Sequence, residues 1–130
     1  DISRGKPCKS VKFENLIEHL IEDLEKINLD GIETVLIENQ PSMKNPKIKS
    51  IAVALYVYLK QKKNIGFVHF VSPSKKLTKE ENRLTYHQRK KKGIEKAHKL
   101  VSEETRNIII GFKKCDDIAD CILNAYCSFN

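Results

Sequence analysis

The chain has 130 residues, 40% hydrophobic and 32% charged, enough for one domain (residues 1–130) with its own core and too apolar for a disordered tail. No apolar run reaches the ~18 residues of a membrane span, and no signal peptide opens the chain. The net charge of +7 is uneven: residues 44–99 hold 16 Lys+Arg against 3 Asp+Glu, net +13, and the remainder holds 8 against 14, net −6.

A basic middle between acidic ends fits a polyanion partner, and it equally fits a solvated Lys-rich surface. The cysteines are Cys8, Cys115, Cys121 and Cys127, with no CxxC pair. We expect reduced, intracellular thiols acting as small apolar side chains, and no zinc site.

In chain order, Asp1 to Lys9 is short and polar, broken by Gly5 and Pro7. Ser10 is the expected N-cap of an amphipathic helix over residues 11–27, because Phe13, Leu16, Ile17, Leu20, Ile21, Leu24 and Ile27 recur at 3-4-3-4 spacing. Asn28-Leu29-Asp30-Gly31 is a turn. Ile32 to Ile37 is an apolar β-branched run, expected as a central strand covered on both faces, and Glu38 follows where it leaves the sheet. Pro41 then turns the chain away.

Pro46 fits the first turn of a second helix, with Ile48, Ile51, Ala52, Leu55 and Leu59 as its buried stripe. Ile65 to Val71 reads as a second strand in which His69 is packed, ending at Ser72-Pro73. Thr78-Lys79-Glu80-Glu81 has capping-box spacing and opens a third helical segment. Tyr86 to Arg106 reads as helix, with Ile94, Ala97, Leu100 and Val101 as its apolar side. Residues 107–112 are apolar and fit strand or loop. A last helix runs from about Asp117 to Phe129, with Ile118, Cys121, Ile122, Ala125 and Phe129 on one side and Asp117, Asp120 and Asn124 on another. The order predicts an α/β fold with parallel strands, although two strands are too few for a stable sheet.

Glu38 at a strand end and Asp117 and Asp120 one helical turn apart pose a chemical question. Carboxylates so placed suit hard divalent cations, and two such ions ~4 Å apart clamp a phosphodiester displacement. They also suit plain helix capping, since a helix N-terminus favours negative charge. Both readings stand on spacing alone.

Four segments occur in order: Ile37-Glu38-Asn39-Gln40-Pro41, Val71-Ser72-Pro73, Tyr86-His87-Gln88-Arg89-Lys90-Lys91-Lys92, and Lys114-Cys115-Asp116-Asp117-Ile118-Ala119-Asp120. Together they resemble the Holliday junction resolvases of the RuvC type, in the branch found in poxviruses and other large DNA viruses. The terminal Asp-Asp-x-Ala-Asp joined to Glu-Asn-Gln-Pro is the specific part; the basic segment alone is not.

The resemblance implies an RNase H-like fold, a mixed sheet with helices on both faces. It implies a homodimeric endonuclease that resolves four-way (Holliday) DNA junctions by metal-dependent hydrolysis, with two Mg²⁺ per site and Mn²⁺ as a substitute. By position it makes Glu38, Asp117 and Asp120, rather than Asp116, the metal ligands. It makes Lys90 the group that neutralises the scissile phosphate. Lys44, Lys75, Lys76, Tyr86, Arg89, Lys91 and Lys92 are the expected DNA-binding residues, holding backbone phosphates without reading sequence. A viral member would work inside the host cytoplasm, at replication sites. The rival expectations are a junction-binding protein that does not cut, and an RNase H-like nuclease acting on hybrids or flaps.

One departure stands out. The family's first catalytic Asp sits in an Asp-[Ile/Val]-Gly strand followed by two more strands. Here Asp1-Ile2-Ser3 is only about ten residues from the first helix, which leaves no room for them. The expectation is that the N-terminal strands and one metal ligand are absent from this chain.

Overall fold

A computed structural model describes the chain except for residues 42, 44, 74, 75 and 130. Its contacts divide the chain into two units, Asp1–Phe70 and Val71–Asn130. The first holds α1 (Phe13–Glu25), β1 (Thr34–Glu38), α2 (Pro46–Lys60) and most of β2 (Phe67–Val71). The second holds α3 (Tyr86–Leu100), α4 (Glu103–Ile110) and α5 (Cys115–Phe129).

In the first unit, β1 and β2 form a two-stranded parallel sheet joined through α2. Side chains alternate across a strand, so Val35 and Ile37 of β1 share a face with Val68 and Phe70 of β2. That face packs on Ala52, Leu55, Tyr56 and Leu59 of α2, and Phe70 stacks on Tyr56 with ring centroids 5.4 Å apart. Leu16 of α1 is the fully buried large side chain of the described residues, and α1 packs against α2. The opposite face of β2 is open. His69, expected to be packed, is exposed and stacks on Phe67, which lies two residues away and therefore on the same face. The expected double cover is thus absent in this unit: within β1 only Ile37 is buried.

Two local boundaries moved for identifiable reasons. Ser10 does not cap α1; its hydroxyl donates to the Pro7 carbonyl inside a short 3₁₀ turn, and α1 starts after Lys12 without a side-chain cap. The first strand starts two residues late because Ile32 is still in the turn, its N–H donating to the Leu29 carbonyl, with Gly31 at φ +76°. That turn needs the left-handed backbone that glycine adopts without penalty. Glu38 is consequently the last residue of β1 rather than the residue after it.

The second unit is helical. Thr78 and Glu81 do form a reciprocal cap, with Thr78 N–H donating to Glu81 at 2.8 Å and Glu81 N–H to Thr78 at 3.2 Å. The cap opens only a 3₁₀ turn, Glu81–Arg83. A second capping box, between Thr85 and Gln88, starts α3. The helix expected over 86–106 is two helices. Val101 and Ser102 are extended, and the Ser102 hydroxyl accepts from Thr105 N–H to begin α4, with Glu103 and Glu104 in its first turn. A serine followed by two glutamates is a helix-start pattern, and it lies inside the continuous apolar periodicity of this stretch. The apolar 107–112 stretch, undecided between strand and loop, is helix to Ile110.

α5 packs on α3 through Ala119 and Leu123 against Ala97, with Ile94 and Ile122 beside them. The buried stripe is turned from the one expected. Cys121, Ala125 and Phe129 are exposed, whereas Ala119, Leu123 and Asn124 are buried. The reason lies on the partner helix. Gly93, with no side chain, and Ala97, with a single methyl, are one turn apart on α3 and leave a groove that receives Leu123. None of the cysteines is in a disulfide.

Gly93 sits inside a helix but does not require glycine: a Cβ there would meet Leu123 Cδ1 at 3.7 Å, an ordinary contact. Gly93→Ala is therefore expected to stabilise the protein by about 0.5–1 kcal/mol, from helix propensity. A urea-unfolding midpoint that falls would show the groove to be tighter than this.

Candidate functional site

The candidate residues converge in the second unit. A cavity of about 370 Å³ is lined by Lys76, Tyr86, Arg89, Lys90, Asp117 and Asp120, with Pro73, Leu77, Asn82, Gly93 and Leu123 completing the wall. Four cationic or aromatic side chains expected to contact DNA or phosphate thus share one concavity with both carboxylates of the spaced pair. The helices explain the convergence. Tyr86, Arg89, Lys90 and Gly93 lie at i, i+3, i+4 and i+7, one face of α3, while Asp117 and Asp120 lie one turn apart on α5. The same α3–α5 packing that seats Leu123 in the Gly93 groove brings those two faces together.

Within the cavity, charges are paired. Lys76 Nζ lies 3.1 Å from Asp120 Oδ2, with the lysine side chain 9% exposed and the aspartate 49%. Asp117 is exposed, 4.0 Å from Lys114 Nζ. Asp116 pairs with Lys90, whose ammonium also lies over the Tyr86 ring, 5.1 Å from its centroid. The hydrogen bond to Asp116 holds the Lys90 ammonium well above its usual range, and the same bond holds the Asp116 carboxyl below the usual aspartate value. Arg89 Nε is buried with no acceptor among the described residues.

The remaining expected residues fall elsewhere. Lys91 and Lys92 are exposed on α3 outside the cavity wall, Lys92 3.6 Å from Glu95. Lys44 and Lys75 lie outside the described residues. Glu38, half-buried, closes β1 in the first unit, and its neighbour Asn39 accepts from Lys49 Nζ at 2.5 Å. Among the described residues no group of three or more Asp, Glu, His or Cys side chains gathers as a metal site. On the cavity wall Asp117 and Asp120 carry the carboxylate oxygens that a hard divalent cation takes, Asp120 being paired with Lys76 and Asp116, off the wall, with Lys90.

Leu77 and Asn82 carry no motif that marks them as site residues, yet they line the cavity. Both enter the cavity from the segment that the Thr78–Glu81 cap folds back, and Asn82 donates to the Leu77 carbonyl at 3.3 Å. Glu81 is tied in turn to Lys96 of α3. The capping-box spacing was the available signal, but it does not reveal that the loop would line a site.

The depressed carboxyls carry a pH dependence. Glu81, held down by the Lys96 bond, and Asp116, held down by the Lys90 bond, both titrate lower in the folded chain than their ordinary values of 4.5 and 3.8. Their contribution is complete above those values and is lost as pH falls below them. Thermal unfolding should therefore move to lower temperature as pH drops from about 5 toward 3, and Glu81→Gln should flatten that fall. An identical slope in Glu81→Gln would rule out the Glu81 part.

Sequence comparison supplies a separate observation. The poxvirus A22 protein family matches residues 9–127. An uncharacterized protein, L451, of Acanthamoeba polyphaga mimivirus is 32% identical over 144 residues, covering 94% of this chain and 34% of the relative. The chain therefore spans about a third of that relative's length. No solved structure matches.

Proposed function

Since this chain belongs to the poxvirus A22 protein family, the family of viral Holliday junction resolvases, we propose that it is a junction-resolving endonuclease of the RuvC type, with residues 1–130 as one RNase H-like domain. The observation that carries the reading is the cavity of the second unit, where Lys76, Tyr86, Arg89 and Lys90 face Asp117 and Asp120. A phosphodiester needs cations to approach and oxygen donors to seat a divalent ion, and this one concavity supplies both residue types.

In this reading Asp117 and Asp120 would hold Mg²⁺ or Mn²⁺, two ions per site, with Glu38 the further ligand that the family pattern implies. Bound divalent cations supply the activated water and charge neutralisation at the leaving oxygen. The chain's own residues do the rest. Lys90 neutralises the non-bridging oxygens of the scissile phosphate as charge grows there. Arg89 and Lys76 hold flanking phosphates, and Lys91 and Lys92, outside the cavity, extend the contact along the backbone. Lys44 and Lys75 add to the same basic segment. Such contacts recognise the shape of a branched duplex without reading bases. A homodimer places one such site on each of two strands, so paired cuts follow from its two-fold symmetry. Among the described residues no helix is long and apolar enough to cross a membrane. A place of action at viral replication sites in the host cytoplasm belongs to the proposal.

The test is cleavage of a synthetic four-way junction by the full-length protein with Mg²⁺, beside a linear duplex and an RNA–DNA hybrid. Junction-selective, paired nicks are expected. Asp120→Asn should lose at least about 100-fold in cleavage rate and keep junction binding. Unchanged cutting by that variant would remove Asp120 from the site. Binding without nicking by the wild type would favour a junction-binding protein, and preferred cutting of the hybrid would favour an RNase H-like nuclease.

A further inference from the structure

We infer that Asp116 is a positioning residue that holds the Lys90 ammonium at the cavity, over the ring of Tyr86. The inference rests on the resolvase reading above, because it assigns how Lys90 is kept where the scissile phosphate would lie.

The argument starts from the lysine side chain. Lys90 carries a point charge on a flexible four-carbon stem, and an unanchored stem of this kind spreads its charge over many rotamers. Two groups fix it here. Tyr86, one turn earlier on α3, presents its ring 5.1 Å from Nζ. Asp116, near the start of α5, bonds Nζ directly. The Lys90 side chain is 40% exposed and that of Asp116 23%, so the ammonium keeps an open side while its anchor is more covered.

Asp116 itself is absent from the cavity wall, whereas Lys90, Asp117 and Asp120 are part of it. Three aspartates within five residues therefore divide in role by their place on the helix. Asp117 and Asp120 line the cavity, and Asp116, off its wall, bonds Lys90. The anchor stands on a packed helix pair. Gly93, three residues after Lys90, packs on Leu123 of the helix that carries Asp116, so the packed core that joins α3 to α5 sets the reach of the ion pair.

The plain structural alternative is that Asp116 merely favours the N-terminus of α5 through the helix dipole. That role would not depend on Lys90. The experiment measures single-turnover cleavage of a four-way junction with Mg²⁺ by the full-length protein as wild type, Asp116→Asn, Asp116→Glu, Lys90→Met and the Asn–Met double variant. Junction binding is measured in parallel in EDTA. Asp116→Asn is expected to slow cleavage by about tenfold or more, as a misplaced reacting group does, without weakening binding. Asp116→Glu, which keeps the charge, restores most of the rate. In the Lys90→Met background Asp116→Asn costs less than about twofold, because the two residues act as one unit. A wild-type rate in Asp116→Asn, or an equal loss in both backgrounds, overturns the inference while leaving the resolvase reading intact. A wild type that leaves junctions uncut overturns the resolvase reading and this inference with it.

Discussion

Close packing of α5 on α3 is the constraint from which the second unit follows. Two small residues on α3, Gly93 and Ala97, leave room for Ala119 and Leu123 of α5, and the resulting cluster is fully buried. Helices can approach this closely only where one of them lacks bulk. Once Leu123 is seated, the rotation of α5 about its own axis is set, and with it the direction of every carboxylate in its first two turns. Asp116 then meets Lys90, Asp120 meets Lys76, and Asp117 faces the cavity. A rotation by one residue would exchange these roles.

The electrostatics of the site follow from that geometry more than from net charge. The basic middle of the chain suggests a field that attracts a polyanion, and such a field acts on association and registers no particular phosphate. What distinguishes Lys90 from Lys91 and Lys92 is its partner. Lys90 is pinned by Asp116 and Tyr86, whereas the other two lie exposed outside the cavity, Lys92 pairing with Glu95 at i+3. Consecutive lysines in one run thus divide into a positioned cation and a diffuse one. The first unit shows the same economy with fewer elements: one helix, α2, covers one face of a two-stranded sheet, and Phe67 and His69 of the other face remain exposed.

Much of this was legible in the residues themselves. Hydrophobic periodicity located both strands and the main helices to within a few residues, because burying one stripe or one face is a local demand on spacing. The spacing of three between Asp117 and Asp120 placed both on one helical face, and the structure places both on one cavity wall. The family match spans residues 9–127, the stretch in which all four quoted segments lie. Periodicity failed where two signals overlapped. Ser102 breaks a continuous apolar pattern by capping a new helix, and Thr78 begins a turn rather than a helix because a second cap at Thr85 follows at once.

The sequence alone marked the candidate residues: an acidic pair at helical spacing, a basic helix and a strand ending on a glutamate. The family resemblance favoured Asp117 and Asp120 over Asp116, but no residue pattern showed that Asp116 pairs with Lys90. A helical wheel leaves the rotation of α5 free until something packs against it, and the apolar side chosen from α5 alone was the wrong one. Tertiary structure decided that rotation, because the groove beside Gly93 lies on a different helix, and no pattern within α5 records it.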